Sequence, residues 1–315
     1  MTTNPRMPPR LAVGFVPRVV RTLLTGGYTI DACDRPAPGA VVMRIRKREA
    51  LGGEARTVVL FTRTAGRALI SRLTRDAVDY RGASTAVALG NPLRLPPEVR
   101  QFTASAFFSL LGGEIRTDRI FNPKLSAIMQ ALGHRRVPEP LQGKAETLLE
   151  GYSQDGFSYL LESSVRRFGQ DRAFEKLPDA LVLARDRFNV CLDAKAYRGG
   201  YHPTAADMRA FADYIREFNG RYSEFVGPIA MFVVISGSFY RSQKALANRA
   251  NELLSAVATP LVFMRAKDLA AAINLLRPHG HRRGALDWRK ILVPPLFDLG
   301  RLKAELHRVM RDGVI

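Results

Sequence analysis

Two cysteines, one tryptophan and five histidines among 315 residues exclude several kinds of chemistry at the outset. Cys33 and Cys191 cannot build a disulfide scaffold or a four-thiolate zinc site, and so low a number suits a reducing compartment. No apolar run reaches the roughly 18 residues that a membrane span needs. The longest, Pro228 to Ile235, has the length of a strand. Near the amino terminus Arg18 and Arg21 interrupt the apolar stretch, which argues against a secretory leader. No Gly-x-x-x-x-Gly-Lys-Ser/Thr is present, so nothing points to bound ATP or GTP. Ser236 lacks the first glycine of a nucleophile elbow. His279 and His281 have no cysteine or carboxylate at zinc spacing and read as part of a basic loop. A soluble intracellular protein without a membrane segment is expected.

Positive charge, in contrast, is abundant. Lysine and arginine outnumber aspartate and glutamate by 48 to 29, a net +19, and arginine predominates. Residues 1–145 hold 23 basic and 10 acidic side chains, against 25 and 19 in 146–315. Such a field attracts polyanions, and nucleic acid is the obvious one, because cations that neutralise phosphates release condensed counterions. An arginine-rich proteome would produce the same sum. With 46% hydrophobic residues the chain can bury a sizeable core.

Proline and glycine mark the joints. The arm 1–10 holds Pro5, Pro8 and Pro9 and reads as irregular. Strand patterns at 40–48 and 56–63 flank the turn Gly52–Gly53, and an amphipathic helix pattern follows at 65–78. A further helix is expected at 98–111, ahead of Gly112–Gly113. The stretch His134 to Pro140 is the best boundary, dividing a smaller basic α+β domain at 1–140 from a domain at 141–315. In the second half the periodicity predicts helices at 157–168, 204–218, 242–257 and 267–276. Strands are expected at 180–183, 188–194, 229–235 and 260–264. Strands alternating with helices imply an α/β fold whose sheet has parallel members and helices on its faces.

The residues best suited to chemistry fall in one short segment. Asp179 opens one predicted strand, and Asp193 and Lys195 stand two apart near the end of the next, so they share a face. A hairpin would bring Asp179 beside them. Two close carboxylates repel each other and attract a hard cation such as Mg²⁺. A bound metal can polarise a phosphoryl oxygen, and the lysine can orient an attacking water and stabilise a pentavalent transition state. Elsewhere, Arg44, Arg46 and Arg48 alternate along one strand and would present three guanidinium groups on one face, suited either to a phosphate backbone or to solvent.

The Pro178-Asp179, spacer, Asp193-x-Lys195 pattern resembles the signature of the PD-(D/E)xK nuclease superfamily. Its surroundings make the resemblance more specific. Asp193-Ala-Lys-Ala-Tyr-Arg-Gly-Gly-Tyr201 is similar to the stretch after the catalytic strand of the FokI-type cleavage domain of type IIS restriction endonucleases. Phe232-Val-Val-Ile-Ser-Gly-Ser-Phe239, Lys244-Ala245 and Leu160-Leu-Glu-Ser-Ser-Val-Arg-Arg-Phe-Gly169 continue it in the same order, so it covers about 155 to 275. The resemblance implies a restriction-endonuclease-like mixed sheet flanked by helices. It further implies Asp179 and Asp193 as metal ligands, Lys195 as catalytic lysine and Glu162 as an additional acidic residue, with the alternative that Glu162 is an ordinary surface carboxylate.

The implied reaction is Mg²⁺-dependent hydrolysis of DNA to 5′-phosphate and 3′-hydroxyl ends, with Mn²⁺ as a substitute cation. The implied setting is restriction or phage defence in a bacterial cytoplasm, with double-stranded DNA as substrate, a transient homodimer for double-strand cutting and a cognate methyltransferase. Tyr197 and Lys244 join the arginine strand as expected DNA contacts, although packing of the Gly199–Gly200 turn is the simpler role for the tyrosines. Ala206 and Ala210 stand where the family places a dimer-bridging charged pair, which keeps a nickase or structure-specific nuclease open as an alternative. A catalytically silent DNA-binding module is the other.

Overall fold

The computed structural model describes residues 15–48, 53–64, 66–89, 93–104, 106–107, 117–163, 165–167, 178–184, 188–240 and 242–313. They fall into two compact units, Met1–Gly112 and Gly113–Ile315. The boundary expected near residue 140 therefore lies inside the second unit. The reason is packing. Ile120, Leu125, Met129 and Leu132 are fully buried in the same core as the strands around Asp193. The irregular arm at 1–10 lies outside the described residues.

In the first unit, helix α1 (Phe15–Thr25) precedes strands β1 (Thr29–Ala37), β2 (Ala40–Arg48) and β3 (Glu54–Thr62). Helix α2 (Arg67–Asp79), β4 (Ala83–Ala88) and β5 (Arg100–Thr103) complete it. The sheet order is β1-β2-β3-β4-β5. The first three strands pair antiparallel, and β3, β4 and β5 run parallel. Leu73 and Ala77 of α2 seal Ala40, Val42, Val58 and Leu60 on one face. The helix expected at 98–111 begins instead as strand β5, because parallel pairing with Thr85–Ala88 satisfies its backbone. Residues 108–111 of that expectation lie outside the described residues.

The second unit opens with two short helices, α3 (Thr117–Ile120) and α4 (Leu125–Gly133), and the longer α5 (Ala145–Leu160). Strands β6 (Val165–Arg167), β7 (Ala180–Leu183) and β8 (Asn189–Lys195) follow. Then come α6 (Ala205–Val226), β9 (Ile229–Ser236), α7 (Gln243–Val257), β10 (Leu261–Arg265) and α8 (Ala266–Leu276). The sheet order is β6-β7-β8-β9-β10, antiparallel from β6 to β8 and parallel from β8 to β10. Each unit is thus a mixed sheet with helices on its faces.

The helix expected at 157–168 is displaced. It runs from Ala145 to Leu160 and ends at Glu162, whose φ of 49° breaks the helical path. Residues 165–167 form the edge strand instead. Val190, Leu192, Met231 and Val233 face α5 and α8, forming the largest apolar core. On the opposite face Phe211 of α6 stacks on Phe232, with ring centroids 4.3 Å apart. The β10 edge is covered, because Phe263 donates to Pro295 O and accepts from Phe297 N, both at 2.8 Å.

Candidate active site

Register decides how the strand residues meet. In β7 and β8 Ala180 opposes Leu192, so Asp179, one residue before β7, comes opposite Asp193. Asp193 and Lys195 pair with Val234 and Ser236 where β8 and β9 end. Cys191 pairs with Phe232, which α6 covers, and the two-residue repeat puts Asp193 and Lys195 on that same face.

Contacts hold the three side chains together. Asp179 Oδ2 accepts from the backbone N–H of Ala194 at 2.6 Å. Lys195 Nζ lies 2.9 Å from Asp193 Oδ2 and 3.1 Å from Oδ1. Ser236 Oγ donates to Lys195 O at 2.6 Å and pins the strand end. The turn that follows is tight. Gly200 has φ of 94°, Tyr201 N donates to Ser238 O at 2.8 Å, and Tyr240 N donates to Tyr201 O at 3.0 Å. Tyr197 N donates to Gly133 O at 3.1 Å, so the carboxyl end of α4 supports the same turn.

The electrostatics follow from burial. Asp193 is 3% exposed. Burial, then the charges of Asp193 and Glu150, push the Asp179 carboxyl well above the usual carboxylate range, despite the Ala194 N–H. Burial also raises Asp193, against the pull of Lys195. Burial alone would lower Lys195, but the Asp193 carboxylate, with Asp179 and Asp207 beyond it, raises it above the ordinary lysine value. Lys195 is therefore an ammonium at neutral pH. It can stabilise developing negative charge but cannot accept a proton.

Two acidic residues that sequence reasoning missed complete the field. Glu150, on α5, is raised first by burial and then by the charge of Asp193, and Lys195 draws it back down. Asp207, in the first turn of α6, caps that helix through a reciprocal exchange with Thr204. Its carboxyl is held low by the Thr204 N–H and the Tyr201 hydroxyl, which outweigh its burial. Asp207 could have been found from the Thr-x-x-Asp capping spacing. Nothing local distinguishes Glu150 from Glu146.

The other expected site residues lie elsewhere. Glu162 pairs with Arg283 at 3.4 Å, and Tyr159 stands between helix end and guanidinium, 3.8 Å from the latter. The helix carboxylate whose charge reaches Asp179 and Asp193 is Glu150. Arg46 is engaged by Asp31 at 3.0 Å and Glu54 at 2.8 Å. Arg44 is partly buried on the α2 face of the same strand. The Arg48 side chain lies outside the described residues. Tyr197 and Lys244 are exposed, the tyrosine 49% and the lysine in the first turn of α7.

Among the described residues no three histidine, cysteine, aspartate or glutamate side chains are grouped closely enough to form a metal cage. Mg²⁺ seldom needs one. It keeps several waters and is held by one or two carboxylates together with substrate phosphates. The carboxylates of Asp179 and Asp193, whose ionisation is opposed by their surroundings, fit that requirement, since a dication removes the opposition.

No curated protein matches the chain. Among solved structures, the restriction endonuclease FokI gives a TM-score of 0.43 at 12% identity, covering 66% of this chain and 36% of that one. FokI bound to DNA gives 0.43 at 14%, covering 67% and 37%. The chain thus spans little more than a third of the length of those proteins. Residues 140–274, which carry Asp179, Asp193 and Lys195, match the model of the family described as "FokI, cleavage domain", and that segment is similar to it.

Proposed function

We propose that the protein is a divalent-metal-dependent DNA endonuclease of type IIS-like restriction character. The observation that carries this reading is the meeting of Asp179, Asp193 and Lys195 at one strand end, inside the segment that matches the FokI cleavage domain. Asp179 and Asp193 would hold Mg²⁺ or Mn²⁺. Bound there, the cation would polarise the phosphoryl oxygen and acidify a water.

The chain's own residues divide the remaining work. Lys195, fixed as an ammonium by Asp193, stabilises charge on the pentavalent phosphorane. Glu150, its carboxyl raised by burial and by the charge of Asp193, is suited to accept the proton of the attacking water. Hydrolysis would leave a 5′-phosphate and a 3′-hydroxyl, as the resemblance to the FokI-type cleavage domain implies. Double-stranded DNA is the substrate, and a bacterial cytoplasm with a partner methyltransferase is the setting that a restriction role requires.

A second reading, a nickase, is favoured by Ala206 and Ala210 at the start of α6, where the family's dimer-bridging charges are absent. Supercoiled plasmid at low salt with Mg²⁺ tests both. Linear product supports paired cutting by a transient homodimer, and persistent open circle supports nicking. No Mg²⁺-dependent product with any DNA would overturn the nuclease reading.

A further inference from the structure

The two units follow one plan. In each, a helix, α1 or α5, leads into three antiparallel strands, although α3 and α4 precede α5 in the second unit. Each continues through a helix, α2 or α6, to two further strands that run parallel to the third. Both sheets keep the strands in sequential order. In both, the helix after the third strand packs on one face of its sheet, α2 against residues of β2, β3 and β4, and α6 against Phe232 of β9. The connection between the last two strands differs. It is helix α7 in the second unit, whereas the described part of the β4–β5 connection is not helical.

This correspondence shows which residues of the first unit occupy the places of Asp179, Asp193 and Lys195. On the α2 face, Val42 opposes Leu60 and Ala40 opposes Thr62, and Thr62 pairs with Ala88 where β4 ends. Lys195 pairs likewise with Ser236, where β9 ends. Equating Thr62 with Lys195 puts Val42 and Leu60 at the carboxylate positions. Equating it with Asp193 puts Ala40, Thr62 and Thr64 there. Neither alignment supplies a carboxylate or a lysine, and Thr62 Oγ1 is turned to the Thr64 backbone at 2.6 Å.

Positive charge gathers at one end of this unit. Arg35 near the β1–β2 turn, Arg63 just after β3 and Arg67 opening α2 are exposed at the end that corresponds to the catalytic end. Most of the described carboxylates stand elsewhere, but Asp34 adjoins Arg35 and lies opposite Val42. Asp31 and Glu54 engage Arg46 near the opposite end, and Asp34 and Asp76 engage Arg72. Asp79 closes α2, and Glu98 precedes β5.

We infer that the first unit is a second core of the nuclease type, without a hydrolytic centre, which holds the phosphate backbone of duplex DNA through Arg35, Arg63 and Arg67. The comparison of the two sheets rests on the nuclease reading of the second unit. The DNA contact does not, because it is measured without cleavage.

The test is binding of a labelled DNA duplex by the full chain in EDTA across a range of salt. Arg63→Glu with Arg67→Glu should lower affinity more than tenfold and make log K against log salt shallower by about 2, close to one unit for each lost phosphate contact. Arg75→Glu with Arg81→Glu, further along α2 and past its end, makes the same change of charge and should cost much less. The Gln forms of the first pair, with half the charge change, should give an intermediate loss if folding is intact. Equal loss in both Glu pairs, or wild-type affinity in the first, would overturn the inference. So would Mg²⁺-dependent cutting that survives Asp193→Asn, since it would place a second centre outside β8. A wild type that cuts nothing would sink the nuclease reading, while the affinity comparison would still decide the phosphate surface.

Discussion

The Asp179 carboxylate accepts a hydrogen bond from the backbone N–H of Ala194, the residue between Asp193 and Lys195, at 2.6 Å. That bond joins β7 to β8 beyond the last ladder pair and sets one carboxylate opposite the other. It also places Asp179 where burial and the neighbouring charge both oppose its ionisation.

Asp179 therefore makes stability depend on pH. Its folded pKa is raised, so the penalty for ionising it is absent below the ordinary carboxylate value and complete only above the raised one. In EDTA, Asp179→Asn should be more stable than the wild type at pH 8, and the difference should close as pH falls toward about 4. Melting midpoints of the two proteins against pH measure it. A difference that stays constant with pH, or has the opposite sign, would contradict this account.

Lys195 is the counter-ion of a nearly buried carboxylate, and its removal leaves Asp193 uncompensated. Breaking a buried pair from one side costs about 3 kcal/mol. Lys195→Met should lose stability of that order in urea unfolding at pH 8, and less at pH 5, where Asp193 can take up a proton. It should also lose DNA cleavage by about a hundred- to a thousandfold, the scale on which a preorganised charge at a reacting centre acts. Unchanged unfolding midpoints would show that the pair contributes nothing.

Glu150 and Glu162 make opposite predictions. Glu150→Gln should slow cleavage by about a hundredfold, the lower range for general base catalysis. Glu162→Gln should stay within about twofold, since its partner is Arg283 and not the Asp179, Asp193 and Lys195 group. Initial rates on plasmid DNA at saturating Mg²⁺ separate the two, and the reverse order would return Glu162 to the site.

Gly133 has no room for a side chain. A Cβ there would lie 2.5 Å from Cα and N of Gly237, both of them backbone atoms. The helix end or the turn after β9 must shift, and Tyr197 N, bonded to Gly133 O, shifts with it. Gly133→Ala should cost about 2 kcal/mol or more, in the range of overpacked core substitutions, and depress cleavage as well. Chemical denaturation beside the cleavage assay checks it, and wild-type stability would refute the close approach.

Much of the second unit is legible in the chain because its signals are local. Phe232-Val-Val-Ile235 can only be a buried strand, and Asp193-Ala-Lys195 near a strand end forces two side chains onto one face. The capping pair Thr204 and Asp207 marks where α6 starts. The helix before the site was harder to place. Leu160 to Phe168 carries helical periodicity, yet a left-handed residue at Glu162 ends the helix and pairing with β7 claims residues 165–167. Strands β1, β4 and β5 carry weak patterns, because each derives its stability from the partner beside it.

Sequence by itself determined the residue types, the two-residue spacing of Asp193 and Lys195, and the excess of positive charge. These depend only on covalent order and backbone period. Tertiary structure decided which helix carboxylate is coupled by charge to the pair, that Asp31 and Glu54 neutralise Arg46, that residues 117–140 belong with the second core, and that the first unit repeats its plan. Each of those outcomes depends on contacts between separate elements of structure. Register and burial set such contacts, and no local pattern encodes them.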